Sequence, residues 1–282
     1  MIQAIQRSIA TLFLGLIISF SATAATFTDL FVFGDSLSDT QARITNGLMW
    51  PEYLTSDLGM PYDPSHNFAV AGATTDDMLN SQFNAWQSSY SVDPDALYVV
   101  WGGANDLFGW YQGGANLNAI TGVINNAVSN LVTITSTLQS LGANHVLLLN
   151  LPDLGMTPRL NGDPFTSSAA TAASTSFNTA LAGALFQAGQ PAELIDIFGW
   201  MRAVKADPTL FGLTDITHSC IADGADPDCT GYLFYDDIHP TTAGHELVAQ
   251  VIEGTVVPVP AALWLFASGL GLLGFQARRQ AA

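Results

Sequence analysis

Ser36 stands just past a short apolar run, Leu30-Phe31-Val32-Phe33, beside Gly34, which lets the chain turn sharply. A serine hydroxyl is a poor nucleophile until a neutral imidazole takes its proton. Far downstream, in Tyr235-Asp236-Asp237-Ile238-His239-Pro240, a carboxylate precedes a histidine by three residues, so one stretch supplies both that base and the group that orients it. Ser36, His239 and Asp236 are therefore candidates for nucleophile, base and orienting acid of a serine hydrolase. Ser38 competes as nucleophile and Asp237 as acid, while Asp35 and Asp39 read as turn or cap residues.

For these residues to meet, the elements between them must return to one place. Short apolar runs predict strands at Leu30 to Phe33, Asn67 to Val70, Ala96 to Trp101, His145 to Leu151 and Glu193 to Ile197. Helical spacing of Ile120, Val123, Ile124, Ala127, Val128, Leu131, Ile134 and Leu138 predicts a helix over 117–141 that stops at Gly142. Phe177, Leu181 and Leu185 suit a helix within the Ala/Thr/Ser-rich stretch 166–188, and Thr241 to Glu253 reads as a last helix. Strands alternating with helices predict an α/β fold, a three-layer α/β/α sandwich around a parallel sheet. Ligands in such folds sit beyond the carboxyl ends of the strands. Ser36, Gly72 and Gly103-Ala104-Asn105-Asp106 all follow predicted strands, and His239 at the start of the last helix falls on the same rim.

Four segments, Gly34-Asp35-Ser36-Leu37, Asn67-Phe68-Ala69-Val70-Ala71-Gly72-Ala73, Gly103-Ala104-Asn105-Asp106 and Asp236-Asp237-Ile238-His239, occur once each, in order, over most of the chain. Together they resemble the SGNH/GDSL hydrolase family, and the opening segment is most similar to its branch of secreted bacterial lipases, phospholipases and plant esterases. The resemblance implies a flavodoxin-like sandwich, Ser36, Asp236 and His239 as a catalytic triad, an oxyanion hole made by Ser36, Gly72 and Asn105, and no metal or organic cofactor. Backbone N–H groups of Ser36 and Gly72 with the Asn105 amide would give the oxyanion three donors, and a helix opening at Ser36 would add its dipole. Glycine at 72 would avoid crowding the substrate. Asp106 is expected to orient the loop bearing Asn105, and Asp237 to be a solvated neighbour. Gln41-Ala42-Arg43 departs from the Gly-Asn that often follows in relatives, which bears on pocket shape. No Gly-x-Ser-x-Gly elbow is present.

The chain has 24 acidic and 7 basic residues. Arg7, Arg278 and Arg279 lie in terminal segments, so the body carries only four basic residues and a net charge near −20. Such a surface repels nucleic acid and anionic lipid, so no nucleic-acid partner is expected. Arg7, the apolar run from Ile9 to Phe20 and Ala22-Thr23-Ala24 have the pattern of a signal peptide over 1–24 removed by signal peptidase, the run being short for a membrane anchor. At the other end Val256-Val257-Pro258-Val259-Pro260 precedes an uncharged stretch reaching Ala277 and then Arg278-Arg279, long enough for a spanning helix with its basic end in the cytoplasm. This tail, 256–282, resembles the PEP-CTERM class of bacterial sorting signal in its Val-Pro-x-Pro variant. The resemblance implies transient membrane anchoring, cleavage by an exosortase-type protease and release to the cell surface or matrix; an anchor that is never cut is the alternative. Residues 25–255 are expected to form one exported domain.

In an exported protein Cys220 and Cys229 read as a disulfide that holds the segment before Asp236, with a stabilisation of about 2–3 kcal/mol. Zinc on these cysteines and His218 lacks a sufficient ligand set. Asp223, Asp226 and Asp228 lack calcium-loop spacing and read as a solvated turn, and His66, His145, His218 and His245 as structural. Leu107, Phe108, Trp110 and Tyr111 form either an apolar wall for an acyl chain or packing under a loop. Three functions fit: an esterase or lipase acting on small-molecule, lipid or glycan esters, with short or medium acyl chains favoured because no extra apolar lid is evident; a polysaccharide O-deacetylase of the matrix; and a non-catalytic matrix protein, against which the intact motifs argue.

Overall fold

β1 (Leu30–Gly34), β2 (Leu97–Trp101) and β3 (His145–Leu149) read LFVFG, LYVVW and HVLLL, runs that a sheet accommodates only when both its faces are covered. A computed structural model, describing residues 27–257 apart from 115, 190 and 191, pairs them in parallel and adds β4 (Glu193–Ile195) in the order β1-β2-β3-β4. Leu30 pairs with Leu97, Leu97 with His145, and Leu147 with Glu193. Residues Thr26–Thr255 form one compact unit. The proposed signal peptide and the sorting segment beyond Val257 lie outside the described residues, among which no helix is long and apolar enough to cross a membrane.

The strand expected at Asn67 to Val70 is reduced to a parallel bridge, Val32 with Asn67, and two bonds: Phe68 N–H donates to Val32 O at 2.8 Å and Val70 N–H to Gly34 O at 3.2 Å. The reason is local. Asn67 Oδ1 accepts from Ala69 N–H at 3.0 Å, turning the chain out of the pleat. Even so, the second segment in sequence lies beside β1 on the edge away from β2. The order therefore reverses next to β1, and the crevice between the ends of β1 and β2 is the switch point at which such sheets bind ligands.

Helices cover the sheet. They are α1 (Trp50–Asp57), α2 (residues 75–89), α3 (Ala104–Gln112), α4 (Leu117–Ser140), α5 (Pro164–Ala188), α6 (Ile197–Ala206) and α7 (Thr242–Val256). Alternate residues Phe31, Phe33, Tyr98, Val100, Val146 and Leu148 join one core with α2, α4 and α5. On the opposite face Trp101 meets the ring of Trp50 in α1 at 6.4 Å. Asp163 caps α5, accepting from Thr166 N–H at 2.8 Å, ahead of Pro164 in the first turn. Two short parallel strands escape the sequence pattern, β5 (Asp215–Ser219) and β6 (Tyr232–Phe234). β5 reads DITHS, without the apolar run that marks a strand. A Cys220–Cys229 disulfide, with Cα atoms 5.6 Å apart, closes the loop between them.

Candidate active site

β1 delivers Ser36 to the switch point. Beyond Gly34 the chain makes a turn rather than a helix, with Ser38 and Asp39 N–H groups both donating to Asp35 O at 3.0 Å. From the other side β6 runs into a loop closed by Tyr235 N–H donating to His239 O at 2.8 Å and by a bridge between Phe234 and Pro240. Ser36 Oγ and His239 Nε2 meet at 2.8 Å, and His239 Nδ1 lies 2.7 Å from Asp236 Oδ2. Asp236 Oδ1 accepts from the N–H groups of Ile238 at 2.9 Å and His239 at 2.7 Å, so one oxygen holds the turn and the other the imidazole. Burial pushes the Asp236 pKa up, but the bonds from the His239 ring and the two backbone N–H groups outweigh it and hold the carboxyl below its usual range. Asp236 is thus an anion placed to fix the imidazole tautomer.

Asn105 enters the same cavity near the start of α3. Its amide donates to Ala73 O at 2.9 Å, leaving the second N–H for an oxyanion. Gly103, the residue that opens the helix, has φ +109°, and a Cβ there would come within 2.5 Å of the Phe177 ring. Gly72 lines an adjoining groove rather than the cavity at Ser36. Its φ of +83° is what demands glycine, because a Cβ at 72 would meet no protein atom within 4 Å.

The neighbouring carboxylates sort by partner. Asp106 accepts from Thr75 N–H at 3.0 Å and Oγ1 at 2.8 Å, tying α3 to α2, and burial raises its pKa. Asp39 accepts from Gln41 and Ala42 N–H on one oxygen and from Ala71 N–H at 2.8 Å on the other, holding the Gly72 loop to the Ser36 turn. Asp35 lines the cavity; burial pushes its pKa up to about 6 against the bond from Leu37 N–H. Asp237 is the expected solvated neighbour, half exposed and paired with Arg159 Nε at 2.7 Å and Nη2 at 2.9 Å. Ser38 is fully buried, its Oγ accepting from Trp50 Nε1 at 3.2 Å, which removes it as a rival nucleophile. Arg43, in the divergent segment, pairs with Glu52 at 2.7 Å.

Gln82 was not evident from sequence. A π-helical stretch, Met78–Phe83, within α2 aims its buried amide at the end of β1, where Oε1 accepts from Gly34 N–H at 3.0 Å and Nε2 donates to Gly34 O at 2.7 Å. Both polar groups of the residue two before Ser36 are thereby clamped. No motif marks the position; only the irregular helix does.

Ser36, His239 and Asn105 open into a cavity of about 660 Å³, mouth included, whose walls beyond them are Trp101, Phe108, Leu154, Trp200, Leu233 and Ile238. A hydroxyl bonded to an imidazole, a partly buried carboxylate behind that ring, an amide with a second N–H and an apolar slot form an arrangement that permits acyl transfer. A family model described as GDSL-like Lipase/Acylhydrolase matches residues 30–252. The chain belongs to this family. Among relatives, it is similar to esterase EstA of Pseudomonas aeruginosa, 29% identical over 56% of this chain and 26% of EstA, and to an acetylesterase of Thermothelomyces thermophilus, 27% identical over 79% of this chain and 86% of that one. It spans about half or less of the Pseudomonas relatives it matches, 48% of one from Pseudomonas putida and 26% of EstA. The fold of this GDSL-family chain also resembles the solved structure of a mutant acetylxylan esterase from Geobacillus stearothermophilus, with TM-score 0.54 and 15% identity, over 83% of this chain and 96% of that one.

Proposed function

We propose that this GDSL-family chain is a serine esterase that cleaves carboxylic esters through an acyl-Ser36 intermediate. The observation that carries the reading is the unbroken line from Ser36 Oγ through His239, 2.8 Å to Nε2, to Asp236, 2.7 Å from Nδ1. His239 takes the hydroxyl proton as Ser36 attacks the ester carbonyl, and the imidazolium is stabilised by Asp236. The N–H of Ser36 and the free N–H of Asn105 hold the oxyanion, each worth roughly 3–4 kcal/mol in the barrier. His239 returns the proton to the leaving alcohol; water, deprotonated by the same ring, then releases the acid. These steps use only the chain's own residues, the ester and water. Hydrolysis of p-nitrophenyl acetate and butyrate by the purified protein, lost in Ser36→Ala, tests the assignment; equal hydrolysis by both proteins refutes it.

The acetylesterase relative favours a second reading, removal of acetate from glycans. Acetate release from acetylated polysaccharide, with no activity on acyl chains of six carbons or more, would select it. Export by way of signal peptidase, a membrane stage through the C-terminal segment and release by an exosortase-type protease complete the proposal. The Cys220–Cys229 disulfide supports an oxidising compartment. Recovery of mature protein starting near Ala25 and ending near the prolines would test it.

A further inference from the structure

We infer that the groove between α3 and α5 receives the acyl chain of the ester, which makes the substrate a fatty acyl ester rather than a glycan acetate. The inference rests on the esterase reading. The groove holds about 910 Å³, open side included, and borders the slot at Ser36, with Phe108 and Leu154 lining both. Beyond them its walls are Leu107, Trp110, Tyr111, Leu160 and Phe165, with small alanines of α5 along the floor.

Composition of the lining selects the occupant. Not one side chain bordering the groove is charged, so nothing there recognises a phosphate headgroup, and the hydroxyls of Tyr111 and Thr166 are too few to bind a sugar chain by its own hydroxyls. Phe165 is nonetheless 83% exposed and Tyr111 41% exposed, on a chain with 24 acidic residues. Apolar rings at the edge of a groove that borders a reactive centre fit an alkyl chain. Arg159, the nearby cation 5.3 Å from the Phe108 ring centre, is already paired with Asp237.

Chemistry selects the acyl side over the alcohol side. His239 must reach the leaving oxygen to protonate it, so the alcohol lies on the imidazole side of the carbonyl carbon. The carbonyl oxygen lies towards Asn105, which belongs to α3, the helix that supplies Leu107, Phe108, Trp110 and Tyr111 to the groove. The acyl chain, leaving the carbonyl away from His239, is directed along α3.

The test uses the parent, Phe165→Ser and Ala169→Glu, both changes being at exposed positions of α5. Two series are compared, p-nitrophenyl esters with acyl chains of two to ten carbons, and acetate esters of alkanols of increasing length. The expected result is a rise in kcat/KM of up to about fourfold per acyl methylene lodged in the groove. In both variants that rise shrinks at least tenfold at ten carbons through KM, while acetate and butyrate hydrolysis stays within twofold. Normal turnover of acetate by all three proteins, with no selective loss at ten carbons, overturns the groove and leaves the esterase reading standing. Dependence on alkanol length instead of acyl length overturns the acyl assignment, as does Phe165-dependent release of acetate from acetylated glycan. A folded parent that hydrolyses no ester overturns both readings.

Discussion

Of the chain's three Asp-x-x-His segments, two have nearly the same hydrogen-bonded geometry. Asp215 accepts from the N–H groups of Thr217 and His218, both at 2.9 Å, and its second oxygen lies 2.8 Å from His218 Nδ1. Asp236 treats Ile238 and His239 in the same way. What differs is the setting. The His218 side chain is 63% exposed and that of His239 only 9%, and only the His239 ring meets Ser36. An Asp-His pair is thus a product of local turn geometry, and it becomes a candidate general base only where a strand end brings a hydroxyl to the far nitrogen and the surroundings exclude water. Electrostatics follows the same division. In the exposed pair, backbone bonds and His218 overcome desolvation to bring Asp215 to about 2, while the bond to Asp215 raises His218. That is a charged surface pair, whereas the less exposed pair keeps its anion against burial through the bonds from His239 and two backbone N–H groups.

Breaking each pair in turn gives the largest expected contrast. His239→Ala should lower kcat by roughly 10⁴- to 10⁶-fold in ester hydrolysis, and His218→Ala should leave it within about twofold, with circular dichroism checking that both remain folded. Asp236→Asn should cost about 10⁴-fold by releasing the tautomer. Asp215→Asn should leave kcat unchanged and lower stability by less than about 1 kcal/mol, since an exposed pair is screened by solvent. Loss of activity in either exposed-pair variant would break the comparison.

The two turns were not equally legible. Asp236 and His239 could be read because Ser36, Asn105 and four ordered segments gave them partners at a distance. Asp215 and His218 have the same spacing, but the strand that carries them reads DITHS and signals a loop. The main sheet was readable because strands buried on both faces must be apolar throughout, as in LFVFG and LYVVW. Asn67 to Val70 was misread because one side-chain bond, Asn67 Oδ1 to Ala69 N–H, diverts an apolar run from the ladder. Gln82 stayed invisible because its placement depends on a π-helical stretch that shifts the register of α2.

The disulfide joins the neighbourhoods of the two turns, Cys220 directly after β5 and Cys229 shortly before β6. Replacing both cysteines by alanine should lower stability by about 2–3 kcal/mol in urea unfolding. If the bond serves mainly to hold the loop leading to Asp236, kcat at saturating substrate should fall only a few-fold, well short of the loss in Asp236→Asn. An unchanged unfolding midpoint would remove the disulfide from the account of how the Asp236–His239 turn is held.

A third histidine sharpens the contrast by lacking a carboxylate altogether. His245, in α7, is buried with neither ring nitrogen bonded, and burial, helped by the proximity of His239 and Arg43, pushes its pKa down to about 3. In the unfolded chain a histidine titrates near 6.5. Between these values the unfolded state binds the extra proton, so this residue costs the parent stability progressively as pH falls from about 6.5 towards 3. His245→Leu removes that penalty while keeping an apolar side chain in the core. The stability gap in favour of the variant should therefore widen as pH falls from about 6.5 to 4, by at most about 1.4 kcal/mol per pH unit. His218→Leu, by contrast, removes a histidine whose folded pKa is raised, so its small contribution is present at low pH and is lost as pH rises past that value. In urea unfolding over pH 4 to 6.5 the His245→Leu gap should therefore change with pH while the His218→Leu gap stays flat and closes only above about pH 6.5; parallel curves for His245→Leu and the parent would mean that the buried ring is not kept neutral by its surroundings.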